Sequence, residues 1–253
     1  MVWAKDTIFS RNELYWGDKF QEFLANKHVA VFGLGGVGGH CAEALARAGV
    51  GKLTLVDFDT VSISNINRQI VAVNSTVGIK KTELFEKRLK DINAELKLNV
   101  INEFYQDKFD FDRIDFVADA IDTMKSKISL LESCFNKHIP TISSMGAGNR
   151  IDPTQLYICD LGEIENKNAP FVSNVIYQLK KRGIETGITV VVSREKPHIE
   201  EKISETEHII NNDGSETEFV KIIPASTPFV ASVAGIYSAY FIISEFKKEF
   251  ENG

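Results

Sequence analysis

The chain has 253 residues, with Lys+Arg 29 against Asp+Glu 35 and a net charge of −6, so no global positive field holds nucleic acid or an anionic membrane. Either partner must meet a local patch. With 43% hydrophobic and 25% charged residues and only 6 Pro, the disordered, collagenous and mucin-like classes are excluded, and the length suffices to bury a core.

In chain order, Met1 to Ser10 carries charge at Lys5 and Asp6 and no apolar run of signal-peptide length, so an untargeted start is expected. A polar amphipathic stretch from Asn12 to Ala25 leads into His28 to Gly33, an apolar run that reads as a buried strand ending in a glycine-rich turn. Val37 to Ala48 has Ala and Leu at helical spacing and stops at Gly49, and Lys52 to Asp57 is a second strand. Such a βαβ unit requires a right-handed crossover and a parallel sheet. The alternation continues with a helix from Gly78 to Ile92, strands Leu98 to Phe104 and Ile114 to Ala120, a helix from Lys125 to Asn136 and a strand Pro140 to Ser144. The expected fold class is α/β: Rossmann-like, doubly wound, with a mainly parallel sheet and a C-terminal strand and helix extension.

We expect one domain over 1–253, its nucleotide-binding core at 8–146 and its extension at 147–253. The extension reads as strand Gln155 to Asp160, helix Phe171 to Arg182, strand Ile188 to Ser193, and a polar loop. That loop, 196–218, holds seven acids and two lysines, net −5, and reads as a solvated surface segment. A strand Phe219 to Ile223 and an apolar helix over 226–246 close the chain. Ile222 to Ser244 contains no charge over 23 positions, which meets the length of a membrane span. Pro224, Pro228, five serines or threonines and the small residues Ala231, Ala234, Gly235 and Ala239 instead suit a helix packed inside a protein or at a subunit interface, so no stable membrane association is expected.

Gly33, Gly35, Gly36 and Gly38 form G-x-G-x-x-G between a strand and a helix, so backbone amides and the helix N-terminus face a bound phosphate. Asp57, 19 residues beyond Gly38, stands where a carboxylate accepts ribose hydroxyls. A nicotinamide cofactor is the default for that motif alone, but the residues that follow argue against it. Asp59, Asn65, Asn67, Arg68 and Gln69 crowd the next dozen positions, Lys81 opens a helix, and Asp119-Ala-Ile-Asp122 ends the fourth strand. Two fixed cations and two or three oxygen ligands are equipment for a Mg²⁺-bound triphosphate. Singly, Arg68 or Lys81 reads as a solvated charge and Asp122 as a helix cap. Together they gather at the C-terminal ends of parallel strands, where such sheets bind ligands.

G-x-G-G-x-G, D-x-D-x-V-x-x-S-N-x-N-R-Q, a helix-opening Lys and D-x-x-D, spanning residues 33 to 122, resemble the ubiquitin-activating-enzyme-like superfamily, which adenylates carboxylates with ATP. The resemblance implies Asp57 on the ribose, Arg68 and Lys81 on the phosphates, Gln69 in the nucleotide site, and Asp59, Asn65 and Asp122 near Mg²⁺. It implies a homodimer in which Arg11 reaches into the partner's site as an arginine finger. Members that load carrier proteins typically use a downstream cysteine, and the bacterial ones commonly hold zinc with two CxxC pairs. Here the three cysteines are Cys41, Cys134 and Cys159, with no CxxC, so thiol transfer and zinc are not expected, and a reducing, cytoplasmic location is.

The second half resembles one branch, the tRNA threonylcarbamoyladenosine dehydratases, through Gly146 to Thr154, Leu179 to Ile184, Val191 to Glu195 and Phe229 to Gly235. This implies ATP-dependent cyclisation of threonylcarbamoyladenosine in tRNA through an acyl-adenylate, with a sulfur-transfer protein as a further potential partner. Lys180, Lys181 and Arg182 are the candidate tRNA patch, though they also suit a solvated helix end. The alternatives are adenylation of a sulfur-carrier protein's C-terminus, a nicotinamide oxidoreductase, and a non-catalytic nucleotide-binding scaffold.

Overall fold

Successive residues of a strand face opposite sides of its sheet, and β1 (His28–Phe32) shows the consequence. Val29 and Val31 enter one hydrophobic cluster and Ala30 and Phe32 another, so both faces are covered. The computed structural model describes residues 6–105, 109–165, 167, 169–198, 204–210 and 216–253. The other strands of the main sheet are β2 (Lys52–Val56), β3 (Lys97–Ile101), β4 (Phe116–Asp119), β5 (Thr141–Ser144), β6 (Leu156–Asp160) and β7 (Thr189–Ser193). Their order is β3-β2-β1-β4-β5-β7-β6, parallel throughout except for β6, which pairs antiparallel with β7. This is the doubly wound α/β fold expected. Both halves of the chain contribute strands to the one sheet.

The helices are α1 (Ser10–Trp16), α2 (Asp18–Leu24), α3 (Gly38–Ala48), α4 (Lys81–Ile92), α5 (Met124–Asn136), α6 (Pro170–Lys180) and α7 (Pro228–Asn252). The amphipathic N-terminal stretch is two short helices broken at Gly17, whose φ of 85° stops the first. The helix expected from Gly78 starts at Lys81 because Gly78 is left-handed and Thr60 bridges Lys80. Strand β3 is shorter than expected, ending at Ile101.

Two expectations for the C-terminal half are corrected. The acidic segment 196–218 is not a loop throughout: β8 (Ser204–Ile210) pairs antiparallel with β9 (Glu216–Ile222) in a separate two-stranded sheet, while 199–203 and 211–215 lie outside the described residues. Charge clustering hid the Ile and Val content that favours pairing. The closing helix also runs on to Asn252, beyond the uncharged stretch. Long and apolar enough to cross a membrane by composition, it has 44% of its apolar window buried inside the protein. Val230, Ala231, Ala234, Ser238, Ile242 and Phe246 form the buried stripe at helical spacing. At Gly235 a Cβ would lie 2.2 Å from the Val37 carbonyl, so only glycine permits this approach of α7 to the start of α3.

At the far end of the sheet His28 is buried, its Nδ1 2.8 Å from the Arg113 carbonyl and its Nε2 2.8 Å from the Thr54 hydroxyl. The carbonyl requires the proton on Nδ1, so Nε2 accepts from Thr54. Burial lowers the imidazole pKa from its ordinary 6.5, against the Arg113 bond that raises it. The unfolded chain therefore takes up a proton below about pH 6.5 that the folded chain excludes: stability is complete above that value and falls as pH drops through it. Urea unfolding between about pH 7.5 and 5.5 is expected to show a falling midpoint that His28→Gln flattens; equal slopes in the two proteins contradict this.

Candidate nucleotide-binding and activating site

The glycine turn between β1 and α3 is built from backbone contact. Gly33 has φ 84°, and a Cβ there would meet the Ala120 carbonyl at 2.8 Å; a Cβ on Gly38 would fall 1.8 Å from the Gly33 carbonyl. Neither position admits a side chain. The amides of Gly35, Gly36 and Val37 donate to no carbonyl or side chain among the described residues, leaving them for an anion at the α3 N-terminus. His40 closes the turn, its Nδ1 2.8 Å from the Gly36 carbonyl.

Because β1 lies between β2 and β4, the segments that follow those strands flank the turn. Beyond β2, Asp57 is buried and accepts from the Leu34 and Asp59 amides through separate oxygens. Burial raises its pKa, opposed by Lys81 and by those amides. Asp59 accepts from the Lys81 ammonium at 2.7 Å, and the Lys81 amide donates to the Asp59 carbonyl at 3.0 Å. Lys81 is thus a buried cation with one half-exposed carboxylate as partner. Asn65 ends a short 3₁₀ turn and its Oδ1 accepts from the Ser62 amide at 3.1 Å, which leaves that oxygen one lone pair.

Arg68 lies against the turn, where a Cβ on Gly36 would come 3.3 Å from its Cγ, and donates to the Ser64 carbonyl at 2.7 Å and to Asn67 Oδ1 at 3.0 Å. Burial lowers its pKa and the charge of Asp122 opposes that shift. Asp122, beyond β4, is exposed, and the α5 N-cap is Thr123. Gln69 is buried above Gly35, and its Oε1 has no hydrogen-bond partner among the described residues. An orphaned acceptor, free turn amides, a ribose-type carboxylate and two cations fit a nucleoside triphosphate. Among the described residues no group of three or more His, Cys, Asp or Glu side chains is placed to hold a metal ion.

Four predicted residues lie elsewhere. Arg11 is exposed on α1, and its neighbour Asn12 donates to the Arg47 carbonyl at the C-terminal end of α3, about 16 Å along the helix from the glycine turn. Lys180 pairs with Glu185 at 3.0 Å, Arg182 pairs with Glu132 at 2.9 Å, and the Lys181 ammonium sits 4.4 Å from the Tyr177 ring centre. Two of the patch's three charges are thereby neutralised locally. Asp119, at the end of β4, does not face the site: its side chain is fully buried and both oxygens are occupied within the protein.

Sequence reasoning missed the brace that closes the site. Arg150 is buried and donates to the carbonyls of Gly146, Gly148 and Glu195, while Glu195 accepts from the Ile151 and Asp152 amides. Asn149 exchanges bonds with Ala225, and Asn67 reaches the Ser226 carbonyl at 2.8 Å. The loop after β5, the approach to α7 and the Arg68 segment are therefore one connected rim. Burial pushes the Cys41 and Cys134 thiols up to about 12 and Cys159 to about 11, so none is a thiolate near neutral pH.

A model of the ThiF family matches residues 9–243. The chain is 42% identical over 248 residues, 96% of each sequence, to a tRNA threonylcarbamoyladenosine dehydratase of Bacillus subtilis. Among solved structures, it resembles E. coli tRNA N6-threonylcarbamoyladenosine dehydratase in complex with AMP (28% identity, TM-score 0.84, 100% of both chains). It also resembles that enzyme in complex with ATP (27% identity, TM-score 0.81, 96% of this chain and 95% of that one).

Gly33→Ala is expected to cost roughly 1–3 kcal/mol of folding stability and to weaken nucleotide binding in a calorimetric titration. Gly183, with φ 76° and open space around a Cβ, provides the control: Gly183→Ala carries the backbone strain without the clash. Equal losses in both variants contradict the close contact at Ala120.

Proposed function

The chain belongs to the ThiF family, and from that premise we propose that it uses ATP to dehydrate, by cyclisation, N6-threonylcarbamoyladenosine in tRNA. The observation that carries this reading is the set of charges around one glycine turn: Asp57, Asp59 and Lys81 beyond β2, and Arg68 within the field of Asp122 beyond β4. A hydride-transfer cofactor needs neither cation.

In this reading 1–253 acts as a single adenylating domain. Asp57 accepts the ribose hydroxyls, and the free amides of Gly35, Gly36 and Val37 face the phosphates. Gln69 backs the turn at Gly35. A carboxylate oxygen of the threonyl group attacks the α-phosphorus of ATP; the bond to the bridging oxygen breaks and pyrophosphate leaves. Arg68 and Lys81 stabilise the negative charge that builds on the phosphates, in a turn already ordered before reaction. Asp122, Asp59 and Asn65 hold Mg²⁺, which supplies further neutralisation of the phosphate oxygens. The carboxyl is then joined to AMP. A nucleophile of the same substituent attacks that carbonyl, loses its proton and closes the ring as AMP departs with the oxygen. No enzyme thiol takes part, in keeping with the raised thiol pKa values.

The working unit in this reading is a cytoplasmic homodimer. Arg11 lies far from its own glycine turn and serves the partner's site as a finger on the phosphates. The tRNA patch in this reading is Lys180, Lys181 and Arg182, and the carboxylate partners of Lys180 and Arg182 must first be displaced.

Incubation with ATP, Mg²⁺ and tRNA bearing threonylcarbamoyladenosine, followed by digestion and mass measurement, is expected to show loss of one water from that nucleoside. Arg68→Ala is expected to abolish it. Pyrophosphate exchange that depends on a small carrier protein and ignores tRNA overturns the proposal in favour of carrier-protein adenylation. Arg11→Ala and Arg68→Ala should each be inactive alone, yet random mixed dimers regain about a quarter of parental activity because half of them hold one intact site. No recovery on mixing rules out the crossed finger.

A further inference from the structure

We infer that Lys127 and Ser143 are positioning residues, acting through Asp119 to fix the turn that presents Asp122. The inference rests on the role proposed for Asp122. Lys127 and Asp119 form a salt bridge with both side chains fully buried. The ammonium also donates to Ser143 Oγ at 3.0 Å, and the Ser143 hydroxyl donates to the same carboxylate oxygen, Oδ2, at 2.7 Å. The other oxygen, Oδ1, accepts from the Ile121 amide at 3.0 Å.

A buried ion pair of this kind is weak evidence for stability, because well-packed apolar residues of similar volume commonly do as well or better. An apolar residue at 119 could not accept from the Ile121 amide. That bond fixes the Ala120–Ile121 peptide, one residue short of Asp122. The turn is held on its other side as well: the Ala120 amide donates to the Phe32 carbonyl at 2.8 Å, and the Ala120 carbonyl packs where Gly33 has no Cβ. Lys127 sits on α5 and Ser143 on β5, so two neighbouring elements hold the carboxylate in its orientation. Asp122 follows the pinned amide by one residue and lies near Arg68. Loss of the buried pair would leave the β4 strand in place and free the turn.

The test replaces the trio by an apolar set, Asp119→Leu with Ser143→Ala and Lys127→Met, which leaves no buried charge. Backbone hydrogen exchange over residues 119–123 is expected to accelerate by about tenfold or more, while exchange in β1 and β2 is unchanged. In tRNA-dependent pyrophosphate exchange, kcat is expected to fall about tenfold or more with the KM for ATP within about threefold. Adding Asp122→Ala should lower kcat by less than about twofold further, since both changes remove the same group from position. Parental hydrogen exchange at 119–123, or kinetic losses that multiply, overturns the inference. The pair Asp119→Asn with Lys127→Met keeps a carbonyl acceptor without a buried charge. It is expected to recover slow exchange at Ile121 and most of the lost kcat, and it decides the matter if the apolar set does not fold. A parent protein without tRNA-dependent exchange defeats the proposed function, while the hydrogen-exchange arm still judges the pinning of the turn.

Discussion

The contact on which the site depends is between two stretches of backbone, Gly33 and Gly38, so close that a Cβ on Gly38 would fall 1.8 Å from the Gly33 carbonyl. With that contact made, no side chain separates the end of β1 from the start of α3, and the amides of Gly35, Gly36 and Val37 are left unpaired among the described residues. Three of the charged residues around the turn are placed directly against it: Asp57 through the Leu34 amide, Arg68 across Gly36, and the Asp122 turn through Ala120 against Gly33. The ligand-facing geometry is therefore set by the main chain. Side chains supply sign and acidity.

Much of this was legible because the first half obeys local rules. Val29 to Phe32 and Phe116 to Ala118 are apolar runs and Leu53 to Val56 is largely so, and Gly49 is the left-handed stop of α3. Asp57, Arg68, Lys81 and Asp122 were legible through their spacing to those elements. Arg150 and Lys127 were not, since a cation in a polar loop or on an amphipathic helix is usually solvated, and only the fold shows that each is enclosed. Asp119 shows the converse. Placed at a strand end among candidate ligands, it faces inward because β4 is buried along its whole length.

The C-terminal half followed less local rules. Its charge pattern over 196–218 described the composition correctly and concealed the pairing of β8 with β9. The small residues of α7 correctly indicated close packing, but sequence did not reveal the surface it packs on. Contact with the start of α3 and linkage through Ser226 and Ala225 to Asn67 and Asn149 make this helix a wall of the nucleotide site.

The crossing at Gly235 also bears on how the molecule is made. Val37 and Gly235 are about 200 residues apart in the chain, so their contact closes one of the longest loops in the fold. Contacts of such separation form late, because the entropy of closing the intervening chain precedes any gain from packing. During synthesis β1, α3 and β2 leave the ribosome long before α7, and the surface of α3 that receives Gly235 stays bare for that interval. A nascent chain in this state has its glycine turn and lacks the wall beside it. The interval before α7 docks is thus when the chain is most open to chaperones and to misassociation.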